Sequence, residues 1–130
     1  MNYKLLLIST VIFPLIDYVY LSRVSGHFSE LVKKITKEEM VFNFPKAVGA
    51  YFFLILGLYY FILKDLNQDN LKEKILSAMI LGWVIYGTYD FTTGTILKDY
   101  DWNTMIMDTV WGGILYGLVT FTSLKISENI

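Results

Sequence analysis

Between Lys46 and Lys64 the chain runs for seventeen residues, AVGAYFFLILGLYYFIL, without one charge. A helix covering this stretch has no polar side to turn towards water, whereas a helix of a soluble bundle carries an apolar stripe and a charged back. At 1.5 Å per residue, Lys46 to Leu63 nearly crosses a hydrocarbon core of about 30 Å. The solvent of this segment is therefore lipid. Composition agrees: of 130 residues, 55% are hydrophobic and 17% aromatic, and only 18% are charged, against about 25% charged in an average soluble domain.

Three further runs have the same character. Lys4 to Ser22 (KLLLISTVIFPLIDYVYLS) is broken only by Asp17, and Ile75 to Leu97 carries Asp90 as its sole charge. The stretch from Thr104 to Leu124 carries Asp108 near its start. The first run is longer than the apolar part of a signal peptide, contains Asp17, and lacks a clean small-residue cleavage site, so it reads as a span. The expectation is one integral membrane domain over residues 1–130 with spans at about 4–22, 46–63, 75–97 and 104–124. The fold class is all-α. Short connections between Lys64 and Lys74 and between Lys98 and Asn103 make sequential helices antiparallel neighbours. Between the first two spans, Phe28, Leu31, Val32 and Ile35 recur at helical spacing opposite Glu30, Lys33, Lys34 and Lys37. That pattern predicts an amphipathic interfacial helix, lying in the membrane surface or on the rim of an antiparallel four-helix transmembrane bundle. Four spans put both termini on one side. The positive charges divide almost evenly, and they lean towards cytoplasmic termini only when the residues of the interfacial segment are discounted.

The same composition excludes other classes. A net charge of −1 offers no basic field for nucleic acid. Without cysteine there is no disulfide, thiolate nucleophile or thiolate metal site. With His27 as the single histidine, no His-rich metal site can be assembled, and no phosphate-binding Gly-rich loop is present. No cofactor is called for.

What remains is a set of acids where lipid should forbid them. In the antiparallel arrangement Asp17, Asp90 and Asp108 each lie roughly 8 to 12 Å along their helices from the same membrane face. An aspartate at the centre of a span costs about 2.5 to 3.5 kcal/mol, while each large aliphatic residue returns about 0.3 to 0.6. Each carboxyl must therefore be protonated, paired or open to a water-filled cavity. Arg23, His27, Lys46 and Lys98 are the cationic candidates to partner them, with hydroxyls from Tyr86, Tyr89, Thr92 and Thr93. Lys98 and Asp99 are expected at the mouth. A Mg²⁺ site formed by Asp17, Asp90 and Asp108 is geometrically open, because hard cations take oxygen ligands, but no metal spacing marks it. Gly112, Gly113 and Gly117, like Ala78 and Gly82, read as helix-packing positions. Tyr59, Tyr60, Trp83, Trp102 and Trp111 read as interface anchors or packing.

The stretch YGTYDFTTGTILKDYDW (Tyr86 to Trp102), followed by MDTVWGG (Met107 to Gly113) and preceded by FPLIDYVYL (Phe13 to Leu21), resembles domain-of-unknown-function family 2177. That family consists of small predicted membrane proteins. The likeness covers nearly the whole chain. At the hairpin of spans three and four the family reads Y-G-T-Y-D, then T-N, then L-[RK]-D-W, then D-x-x-W-G. Tyr86, Gly87, Thr88, Tyr89, Asp90, Thr92, Leu97, Lys98, Asp99, Asp108, Trp111 and Gly112 match. The chain departs at Thr93, where the family commonly has Asn, and at Tyr100, where it commonly has Trp; the carboxylates stay in place. The resemblance implies four spans and supplies no activity.

Three functions are compatible with these residues. In the leading one, Asp17, Asp90 and Asp108 bind or relay a proton, a cation or a polar lipid headgroup within one leaflet of the bilayer. The second is a membrane enzyme acting on lipid with the same carboxylates as acid, base or metal ligands. The third is a structural subunit forming a homo-oligomer through Gly113 and Gly117.

Overall fold

The computed structural model describes residues 3–130. It contains α1 (Tyr3–Thr36), α2 (Phe44–Phe61), a short 3-10 turn (Leu63–Asp65), α3 (Leu71–Ile96) and α4 (Trp102–Asn129). All four α-helices are long and apolar enough to cross a membrane.

The connections are built from side chains that satisfy helix ends. Asn43 accepts the Lys46 backbone N–H at 3.1 Å, and Pro45 follows in the first turn of α2, where its missing N–H costs nothing. Between the 3-10 turn and α3, the Asn67 and Asn70 side chains each accept the other's backbone N–H, at 3.1 and 2.9 Å, and the Asn70 amide donates to the Asp65 carbonyl. Asp101 precedes α4 and accepts the Thr104 hydroxyl at 2.5 Å.

The expected separate interfacial helix does not exist as an element. Its residues are the last turns of α1, which runs unbroken through Pro14 and Gly26 and stops only at Lys37, in a left-handed conformation with φ 65°. Nothing after Ser22 removes helical hydrogen bonds or forces a turn, so the chain keeps its conformation. At 34 residues, α1 is about 51 Å long and exceeds a hydrocarbon core of about 30 Å. The amphipathic pattern is real: Phe28, Leu31, Val32 and Ile35 are buried or half-buried, while Glu30, Lys33 and Lys34 are exposed.

The helices pack in an unequal bundle. α3 and α4 form a close pair in which Gly94 lies against Met105, Gly87 against Thr109, Gly82 against Gly112 and Met79 against Gly117. One number rises as the other falls, so the pair is antiparallel. Cβ atoms at Gly82, Gly112 and Gly113 would collide with the Gly112 carbonyl, the Tyr86 ring and the Trp83 indole respectively. The glycines thus let two backbones approach, and α3 occupies the face at Gly113 and Gly117 that a homo-oligomer would have used.

α1 lies along α4 on another side. The pairs Phe13 with Tyr116, Asp17 with Trp111 and His27 with Thr104 again run in opposite directions. α2 is joined through Tyr51, which meets Phe13 edge-on at 5.8 Å, and through the Leu54 carbonyl, which accepts the Tyr116 hydroxyl at 2.9 Å. Phe13, Leu58, Leu63, Leu115, Tyr116 and Val119 are fully buried in the core. Leu7, Val11, Leu15, Phe52, Phe53 and Val84 face outward, as lipid-contacting residues must.

Candidate functional site

Asp17 and Asp90 are the two acids withdrawn from the surface, 6% and 0% exposed, and Asp108 is half-buried beside them. No cation reaches them. Among the described residues the one ion pair is Lys33 with Glu39 at 3.5 Å, on the surface; Arg23, His27, Lys46 and Lys98 do not serve as the expected partners. Neutral aromatic donors take their place.

Asp17 is satisfied on both oxygens. The Tyr51 hydroxyl of α2 donates to Oδ2 at 2.5 Å, and the Trp111 indole N–H of α4 donates to Oδ1 at 2.9 Å. The residue therefore ties α1 to both neighbours, and Trp111, read from the sequence as an anchor or packing group, is a hydrogen-bond donor at the centre of the molecule.

Asp90 is satisfied on one oxygen only. The Tyr100 hydroxyl donates to Oδ1 at 2.6 Å, while Oδ2 is buried and meets no donor. Tyr100 lies in the α3 to α4 connection, outside the spans. Burial first, and then its bond to the Asp90 carboxylate, push its hydroxyl up from the ordinary tyrosine range, so it remains a donor. The Asp108 carboxyl is near enough to Asp90 for the two to influence each other electrostatically. Two carboxyl groups so placed have four acceptor oxygens and no donor unless a proton or a cation sits between them.

Tyr20 links the two halves. Its ring stacks on the Trp111 indole, with centroids 4.5 Å apart and planes at 4°, and its hydroxyl is within electrostatic reach of Asp17, Asp90 and Asp108. That hydroxyl is buried without a hydrogen-bond partner, as are Asp90 Oδ2 and the Oγ1 of Thr109, the residue after Asp108. Unpartnered buried polar atoms are uncommon, and several in one region mark a place where water or a ligand completes the bonding.

The three carboxyls do not form one ligand set. Among the described residues no group of three His, Cys, Asp or Glu side chains could hold a metal ion, which corrects the three-carboxylate Mg²⁺ expectation. The physical reason is Asp17, whose oxygens are committed to Tyr51 and Trp111.

The other expected residues divide. Tyr86 is half-buried, packed on Gly112 and edge-on to Tyr116 at 6.4 Å. Tyr89 is exposed and lines a groove beside the site, whereas Thr92 is exposed and does not line it; Thr93 does. Lys98 and Asp99 are exposed on the turn. Tyr51, Tyr100 and Tyr20 escaped sequence reasoning. The available signal for Tyr51 was a phenol set inside an apolar span, away from the Tyr59–Tyr60 pair at its end, and for Tyr100 its position where the family commonly places another side-chain donor, Trp.

The groove has a volume of about 1000 Å³ and runs along α1 from Pro14 to Thr36, between it, the following loop, Tyr51 of α2, the end of α3 with its connection, and Asp108 of α4. Among the described residues Asp108 is its only charged lining residue, and Tyr51 and Tyr100 also line it.

No match is found among curated proteins or among solved structures. The family model described as "Predicted membrane protein (DUF2177)" matches residues 2–125. Four lipid-length helices and a match over nearly the whole chain lead to one conclusion: this protein belongs to the DUF2177 family of predicted membrane proteins.

Proposed function

We propose that the protein binds a small positive charge, a proton or a cation, at the Asp90–Asp108 carboxyl pair within one leaflet of the membrane. One observation carries the reading: Asp90 is fully buried, its Oδ2 is without a donor, and the second carboxyl next to it borders an open groove. In a low-dielectric surrounding such a pair is costly as two bare anions and favourable once a positive charge is shared between them. Asp17 serves as the structural acid of the set, positioning Trp111 and, through it, Tyr20.

Infrared difference spectroscopy of the protein in lipid vesicles tests this. Exchanging acid for neutral buffer, or adding methylammonium, is expected to change a carboxyl stretching band that disappears in both Asp90→Asn and Asp108→Asn. A spectrum in which no carboxyl band responds, or in which the band survives both variants, contradicts the reading.

A relay of protons is a second reading, favoured by Tyr100. It holds Asp90 from the connection outside the spans and so offers a hydroxyl path towards water. Proton flux into reconstituted vesicles that falls in Tyr100→Phe supports it; flux equal to that of empty vesicles counts against it.

A further inference from the structure

The groove beside Asp108 is much larger than a proton or a metal ion requires. Its volume of about 1000 Å³ is at the upper end of the range of about 300–1,000 Å³ for sites that enclose small organic ligands. Its long wall is apolar and comes from the α1 extension: Phe28, Leu31, Val32 and Ile35 turn towards it, and Met40 and Phe42 of the following loop continue it. Because α1 is longer than the hydrocarbon core, this wall reaches towards the membrane surface, where an apolar groove gains by being filled. The inner end is different. There Pro14 and Tyr18 of α1 are joined by Tyr51 and by the carboxyl of Asp108, which interacts with Asp90, whose Oδ2 is buried without a partner.

Charge decides what can lie there. Among the described residues no lysine, arginine or histidine lines the groove, and Asp108 is its one charge. A phosphate or carboxylate headgroup would find hydroxyl donors there but no cation to balance its charge, and would face the Asp108 carboxyl. A protonated amine would supply donors to the oxygens that lack them, in a place where water competes weakly.

Resting on the carboxyl-pair reading above, we infer that the natural occupant is a lipophilic organic cation of the long-chain primary ammonium type. Its ammonium group sits at Asp108 and Asp90, and its hydrocarbon tail lies outward along Phe28, Leu31 and Ile35.

Three probes of equal tail length and different heads test this on the full-length protein in lipid nanodiscs: dodecylammonium, dodecanol and dodecanoate. They are compared at equal membrane mole fraction by the rise in unfolding temperature, with methylammonium as the tail-free control. Dodecylammonium is expected to act at concentrations about tenfold or more below dodecanol, the usual advantage of a charge-assisted bond, and dodecanoate to have no effect. Asp108→Asn should bring the amine down to the alcohol while leaving the folded protein intact. Ser25→Trp, an exposed α1 position on the groove, should block dodecylammonium and spare methylammonium. If methylammonium works as well as dodecylammonium and Ser25→Trp changes nothing, the tail site is overturned while the carboxyl-pair reading stands. If amine and alcohol are equivalent and Asp108→Asn alters neither, the ammonium site is overturned, and the carboxyl-pair reading is overturned with it only if the infrared carboxyl band also fails to respond.

Discussion

Asp17, Asp90 and Asp101 are three aspartates with three different surroundings, and each makes a distinct prediction. Asp17 accepts one phenol and one indole. Removing either donor leaves a buried carboxylate short of a bond, so Tyr51→Phe and Trp111→Phe should each destabilise the protein by about 1–3 kcal/mol. Because both bonds hold one carboxyl, the double variant should depart from the sum of the singles, which a double-mutant cycle in detergent unfolding would measure. Asp90 depends on Tyr100. Tyr100→Trp, the residue common in the family, replaces the O–H donor with an N–H donor, whereas Tyr100→Phe leaves none; the Trp variant should retain more thermal stability than the Phe variant, and equal losses would show that the bond is not what matters there.

Asp101 is exposed and lies outside the spans. The Thr104 hydroxyl bond is the largest influence on it and holds its carboxyl below the usual aspartate range. The Thr104 hydrogen is donated to Asp101, so its oxygen accepts from His27 Nε2–H at 2.7 Å, and this chain pins the α1 extension to the start of α4. The sign follows from a folded value depressed below the unfolded one. The stabilisation is present above the ordinary aspartate value and is lost as pH falls through the lower folded value. Amide exchange in the first turn of α4 should therefore accelerate on acidification below the usual carboxylate range, and Thr104→Val should remove most of that dependence.

At the scale of helices, the glycines separate lipid-facing from helix-facing positions. A Cβ at Gly57 meets open space, whereas one at Gly82 meets the Gly112 backbone. Gly57→Ala should be neutral or stabilising by up to about 1 kcal/mol through helix propensity. Gly82→Ala should cost about 1–3 kcal/mol or more, because backbone cannot yield as a side chain does. Unfolding of the two variants side by side checks this. The four spans were legible because hydrophobic length is a one-dimensional property, and so was the small-residue character of Gly82, Gly112, Gly113 and Gly117. The continuation of α1 to Thr36 was not. Amphipathic periodicity in residues 28–35 is the same whether the helix is separate or a continuation, and only the absence of a breaker between Ser22 and Lys37 distinguishes them.

For the whole molecule, the acids were visible from the sequence as an expensive exception to lipid, and counting helical turns led to the expectation that they approach one membrane face. Their sorting was not visible. Separation into Asp17, bonded to Tyr51 and Trp111, and the Asp90–Asp108 pair depends on which helix faces the core, and hydrophobic patterns say little about that when every face is apolar. Donors were also hidden, since tyrosine and tryptophan at span ends have a ready explanation as interface anchors. The result is a bundle in which α2 supplies a single phenol to the acids, α4 supplies both an acid and an indole, and α1 supplies an acid and the wall of a groove.

Carbon-13 solid-state NMR of the protein in bilayers, with labelled aspartate carboxyls and labelled indole nitrogen, measures this arrangement directly. Magnetisation should pass between the side-chain carboxyl carbons of Asp90 and Asp108, and separately between that of Asp17 and the Trp111 Nε1. Each signal should vanish in the corresponding Asn or Phe variant. Absence of transfer between Asp90 and Asp108, with transfer from Asp17 to either of them in its place, would contradict the pairing on which the account rests.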